Sequence, residues 1–99
     1  MTVQSHDFLT DADRAAIANI GNRATVREIA RQVCAETGTN YAAVMGESRA
    51  AYLCRVREVI YYMAVREGFS LPQIGRVFRR DHTTIMHGLR NEQKRRGEI

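Results

Sequence analysis

The stretch "SLPQIGRVFRRDHTTIMHGLR", Ser70 to Arg90, decides how this chain is read. Ser70 followed three residues later by Gln73 forms a capping box, and Pro72 suits a first helical turn. Leu71, Ile74, Val77 and Phe78 recur at helical spacing and make one inward side. "RRD" is long enough only for a tight turn. Asp81 then suits the N-cap of a second helix, running from His82 to about Arg95. Ile85 and Leu89 are its core anchors, with Met86 at the edge. Gly75 leaves room where the two helices cross, and Gly88 permits close approach of the second helix to the core. Two short helices with such a turn, the second amphipathic and basic, outline a helix-turn-helix over residues 70–95.

Upstream of this hairpin the pattern stays helical. "TVRE" is a second capping box, Thr25 to Glu28. Val26, Ile29, Ala30, Val33 and Cys34 then follow the spacing of a half-buried helix, and Gly38 stands where a left-handed C-cap belongs. "TNYAAVMG" makes a short helical turn between Asn40 and Gly46. From about Ala50 to Glu67 the chain is apolar almost all round: Leu53, Val56, Ile60, Met63 and Ala64 form one face, widened by Tyr52, Val59, Tyr61 and Val65. Such a helix belongs at the centre of its domain. Arg55, Glu58, Tyr62 and Arg66 form its narrow polar face, and Arg57 points nearly opposite Arg55. Thr10 to Gly21 has the caps of a short helix but a thin apolar set. The expected architecture is all-α, with four or five helices: residues 1–22 are an N-terminal tail or short helix, and residues 23–99 form one helical domain.

Ninety-nine residues suffice for a single modest core. The charge is uneven. Residues 1–48 carry four basic and six acidic side chains, whereas residues 49–99 carry eleven basic and five acidic ones. The pI near 9.6 therefore belongs to the second half, and such a surface suits a polyanion. Fourteen of the fifteen basic residues are Arg, the side chain whose planar fork pairs with phosphates and guanine edges. Cys34 and Cys54 lie in apolar helical patterns and read as core residues of a reduced, cytoplasmic protein. No secretory leader pattern and no long apolar run is present, so no membrane span is expected.

On the second helix of the hairpin, the side away from Ile85 and Leu89 presents Thr83, His87, Arg90 and Lys94. A major groove admits one helix, so these residues can meet base edges and phosphates there. Arg76, Arg79 and Arg80 lie on the first helix and the turn, beside the flanking backbone. The amides at Ser70–Leu71–Pro72 add a helix N-terminus for a phosphate. A plain αα-hairpin in a bundle shares much of this pattern. His82 and His87 stand about 500° apart on the wheel, which speaks against a shared metal ion. No nucleophile–base pair is apparent, so neither catalysis nor a cofactor is expected.

"SLPQIG", then Phe78, then "RDHTTIMHG" resembles the C-terminal DNA-binding domain of DnaA, the bacterial chromosomal replication initiator. The family runs Ser-Leu-Pro-Glu-Ile-Gly, then Phe-Gly-Gly-Arg-Asp-His-Thr-Thr-Val-Leu-His-Ala. The likeness extends over roughly residues 23–96. It implies an all-helical domain that binds a short double-stranded DNA box, with Asp81, His82 and Thr83 at bases and Thr84 near a phosphate. It further implies that Arg49, before the long helix, enters the minor groove, and that Arg57, in that helix's first turn, meets a phosphate. Joined to the residue reading, the expected base contacts are Asp81, His82, Thr83, His87, Arg90 and Arg49. The expected phosphate contacts are Arg57, Leu71, Arg76, Arg79, Arg80, Thr84 and Lys94. On the wheel, however, His82 falls toward the core.

The chain departs from the family in several places: the link before Ser70 is one residue short, and Ala50, Ala51 and Tyr52 stand where the family is Arg-rich. "FRRD" is one residue shorter than Phe-Gly-Gly-Arg-Asp, and Arg79 replaces a Gly where positive φ would cost an ordinary residue about 1 kcal/mol. No GxxxxGK[ST] phosphate loop occurs, so the expectation is the reading domain without the ATPase module. The expected role is sequence-selective binding of double-stranded DNA in regulation of replication or transcription, at the nucleoid. The rival readings are a protein-interaction module that kept the fold, and a basic binder of anionic membranes. The acidic first half, residues 1–48, is the surface left for a second copy or a protein partner.

Overall fold

The structure, a computed structural model, describes residues 25–99 together with Asp11 and Ala15. The helix expected over 10–21 lies outside the described residues apart from those two. From Val26 five helices follow one another: α1 (Val26–Thr37), α2 (Tyr41–Met45), α3 (Ala51–Arg66), α4 (Leu71–Phe78) and α5 (His82–Arg95).

Local sequence starts and stops them. Thr25 Oγ1 accepts from the Glu28 amide at 3.1 Å while Glu28 Oε1 accepts from the Thr25 amide at 3.4 Å. Gly38, at φ 69°, ends α1 in the left-handed conformation that glycine takes without steric cost. Asn40 caps α2, and Ser70 and Gln73 cap α4 reciprocally. Each such cap satisfies amides that the first turn leaves without intrahelical partners.

Packing is centred on α3, which touches each of the other four helices. Val56, Val59, Ile60 and Ala64 are fully buried on it, joined by Ile29 and Val33 from α1, Val44 from α2, Ile74 from α4 and Ile85 from α5. A large aliphatic side chain moved fully out of water contributes about 1.5–3 kcal/mol, so this cluster is the main stabilising force. Tyr61 meets Phe78 edge to face, with ring centroids 5.1 Å apart, tying α3 to α4.

The polar face expected of α3 is narrower than its wheel implied. Tyr62 is 5% exposed. Its ring lies under the Arg96 guanidinium, 3.9 Å from the centroid, and its hydroxyl donates to Glu98. Cys34 is buried as expected, and burial pushes its thiol up; Cys54 is only half-buried.

Candidate nucleic-acid interface

Helix α4 ends at Arg79, which adopts φ 57° and ψ 45°. Among the described residues it is the one non-glycine with positive φ. The Arg79 and Arg80 amides both donate to the Gly75 carbonyl, the latter at 2.9 Å. The turn thus folds back over Gly75, where an added Cβ would stand 2.5 Å from the Arg80 carbonyl oxygen. A side chain at residue 75 is incompatible with so tight a turn. Gly88 has a matching role one helix later: a Cβ there would stand 2.8 Å from the Tyr61 ring.

Asp81 caps α5, its Oδ2 accepting from the Thr83 amide at 3.3 Å. Hydrogen bonds from Thr83 are the main reason its carboxyl is held below the usual range. His82 Nδ1 lies 3.7 Å from Asp81 Oδ1, and both side chains are well exposed, at 60% and 69%. The helical wheel is therefore overruled for His82. In the first turn there is no preceding turn of helix to hold a side chain against the core, and His82 is exposed.

Down α5, Thr83, His87, Arg90 and Lys94 are all exposed, while Ile85, Gly88 and Glu92 on the opposite side are buried. The outward stripe is one polar face about three turns long. Beside its start, Gly46, Arg49, Arg79, Arg80, Asp81 and Thr84 border a cleft of about 490 Å³. The structure thus brings the loop before α3 and the turn before α5 to one place. Arg49 and Arg79 are exposed there; Arg80 is half-buried and donates to the Gly46 carbonyl at 2.9 Å.

Arg76 and Leu71 stand elsewhere. Arg76 is exposed but borders a separate groove with Arg27, Phe69 and Gln73, between the start of α1 and α4. The Leu71 side chain is half-buried against the core. In its turn the Ser70 and Gln73 amides are taken by the capping box and Pro72 has none, so the Leu71 amide is what that helix end can offer an anion.

Arg57 requires a correction. It is 2% exposed, and its guanidinium is turned inward. Nε donates to Val44 O at 2.7 Å, Nη1 to Ser48 O at 2.6 Å, and Nη2 to Ala43 O and Gly46 O at 3.2 and 3.1 Å. The remaining N–H of Nη1 faces Cys54 Sγ at 3.8 Å. All five donors of the fork are used, which leaves none for a phosphate. The wheel carried this signal, since it set Arg57 apart from the polar face that holds Arg55.

Charged residues that the sequence reading passed over anchor the far end of α5. Glu92 is fully buried, yet it pairs with Arg95 at 2.7 Å and Arg96 at 2.8 Å. Arg95 also reaches Glu58 on α3, at 2.5 Å, and Asn91 donates to the same carboxylate. Burial lowers the Arg95 pKa, but Glu58 and Glu92 more than offset this and leave it raised. The available signal was spacing: Glu92 continues the inward stripe of Ile85 and Gly88, with arginines three and four residues on.

Among the described residues, no three His, Cys, Asp or Glu side chains gather to hold a metal ion, and no helix is long and apolar enough to cross a membrane.

Residues 26–91 match the family model described as the bacterial DnaA protein helix-turn-helix. The chromosomal replication initiator protein DnaA of Cereibacter sphaeroides is 39% identical over 88 residues, which cover 87% of this chain and 18% of that protein. The protein of the same name from Zymomonas mobilis is 33% identical over 92 residues, covering 91% of this chain and 19% of that protein. The one from Deinococcus radiodurans is 38% identical over 63 residues. The chain therefore spans under a fifth of the length of these relatives. No solved structure matches it. With a family match across the capped helices, the Gly75 turn and the exposed Asp-His-Thr-Thr start of α5, the chain belongs to the bacterial DnaA helix-turn-helix family.

Proposed function

We propose that this chain binds double-stranded DNA sequence-selectively and acts in the regulation of replication or transcription. The observation that carries this is the joint exposure of Arg49, Arg79 and Asp81 around one cleft at the start of α5, next to the exposed His82 and Thr83. In this reading α5 enters the major groove. Asp81, His82, Thr83, His87 and Arg90 meet base edges there, and Arg49 enters the adjacent minor groove. Arg79, Arg80, Thr84 and Lys94 meet the flanking phosphates. Arg76 and the Leu71 amide serve a phosphate farther along the backbone, if the duplex reaches the groove beside α1.

Two properties support base reading over simple attraction. The first turn of α5 offers a carboxylate, an imidazole and hydroxyls, a mixed set of donors and acceptors that bare charge attraction does not need. The helix is also held rigidly at its other end, which fixes the angle at which that set is presented.

Selection from a random duplex pool, followed by salt-titrated binding to the recovered sequence and to its scramble, tests the proposal. A preference for the recovered sequence and a steep fall of affinity with salt are expected. His82→Ala and Arg49→Ala should each keep the fold and weaken the preference by about 1–3 kcal/mol. No binding to any duplex at low salt overturns the reading. Equal binding to anionic vesicles favours a membrane surface instead.

A further inference from the structure

The carbonyl of Gly46 accepts from two arginines of different elements: Arg57 of α3 at 3.1 Å and Arg80 of the α4–α5 turn at 2.9 Å. Arg57 also holds the carbonyls of Ala43 and Val44, at the end of α2, and of Ser48, one residue before Arg49. A cation is well placed against carbonyls at a helix C-terminus, where the peptide dipoles leave partial negative charge. Among the interactions of Arg57 these carbonyls stand where a carboxylate usually would, so the buried guanidinium is bound to the course of the loop. An ordinary loop of this kind would let Arg49 wander. Here the backbone leading into it is held by Arg57 at Gly46 and Ser48 and by Arg80 at Gly46.

We propose that Arg57 and Arg80 yoke the Arg49 loop to the start of α5, so that the two elements meet DNA as one body with a fixed spacing. Arg57 is on this account a positioning residue. It touches no nucleotide and acts through Arg49. Specificity then depends on the distance between the minor-groove and major-groove parts of the site as well as on the bases in each. The inference rests on the DNA-binding reading above and adds a geometric constraint to it.

The test uses the full chain and a duplex recovered by selection from a random pool. Arg57→Lys keeps the charge and loses the planar fork. Affinities of the parent, Arg57→Lys, Arg49→Ala and the double variant form a cycle, with a melt recorded for each. The yoke predicts that Arg57→Lys costs about tenfold when Arg49 is present and under about twofold when it is absent. An equal loss in both backgrounds overturns the proposal, because Arg57 would then act through general stability or charge. A second comparison decides the matter even if Arg57→Lys fails to fold. It measures the cost of Arg49→Ala on the selected duplex and on one with a single base pair inserted between the minor-groove and major-groove footprints. With a fixed spacing, about a tenfold cost on the first duplex falls to under about twofold on the second. The same cost on both overturns the yoke and leaves DNA binding standing. Failure to recover any duplex overturns both readings.

Discussion

The two ends of α5 are built on opposite principles. At its start, Asp81 and His82 stand in water and the turn is held by backbone hydrogen bonds. At its finish, Glu92 is sealed from water between Arg95 and Arg96, and Arg96 in turn covers the Tyr62 ring. Charge serves both ends, but at the first it is offered to solvent and at the second it is consumed within the fold. The difference separates anchoring from presentation. A helix that must meet a ligand with its first turn is best fixed by its last.

The strongest way to break this contrast is to remove the buried carboxylate. Glu92→Ala leaves the Arg96 guanidinium enclosed without its partner, and loss of one member of a buried pair typically costs about 3–5 kcal/mol. For a domain of this size that is a large share of the total stability. A chemical or thermal melt should show it, and a change below about 1 kcal/mol would mean the pair is not enclosed as described. Next in size, Gly88→Ala drives a methyl group into the Tyr61 ring and should cost about 1–3 kcal/mol by overpacking. Because it moves the middle of α5 away from α3, it should also change the base preference, which a repeat of the duplex selection would reveal.

At the exposed end the expected stability changes are smaller and one has the opposite sign. Arg79→Gly relieves the left-handed backbone conformation. It should stabilise the fold by up to about 1 kcal/mol, the gain being reduced by the greater freedom of glycine in the unfolded chain. The same change removes an exposed cation, so DNA affinity should fall while the melting temperature rises. A parallel fall of both would show that the turn needs the arginine for folding. The smallest effect concerns pH. Asp81 is held below its ordinary pKa by Thr83, so it binds protons less readily in the folded than in the unfolded state. Its contribution is present at neutral pH and is lost as the pH falls through the acidic carboxylate range. Asp81→Asn should flatten that part of the stability profile, and an unchanged slope in a pH series of melts would refute the assignment.

Much of the fold was legible because it is written locally. Thr25 with Glu28, Ser70 with Gln73, and Asp81 each announce a helix start through a side chain that meets an amide two or three residues away. Most of the buried stripe of α3 followed from spacing alone, although Tyr52, expected to widen it, is exposed. Legibility failed where a residue's environment is made by a distant element. Glu92 reads as a solvated residue in any hydropathy pattern, since its partners' burial depends on how α5 lies on α3. Arg57 and His82 form an instructive pair. For each, helical periodicity pointed inward and the family likeness pointed outward. Periodicity was right for Arg57, which has more than a full turn of α3 on either side of it. It was wrong for His82, which begins its helix. The Arg49 loop could be placed near the turn only once the carbonyl of Gly46 was seen to join them.

Arg57 has one more consequence. Its positive charge is compensated by carbonyl dipoles, and the phenol of Tyr61 nearby registers it: burial raises the Tyr61 pKa, and the charges of Arg80 and Arg57 oppose that rise. Mobile ions screen a charge inside the protein less than one at its surface. The pairing of Arg57 with those carbonyls is therefore one that added salt erodes slowly, whereas the pull of the exposed arginines on a polyanion would fade quickly. An arginine withdrawn from the surface thus goes on holding its loop as ionic strength climbs.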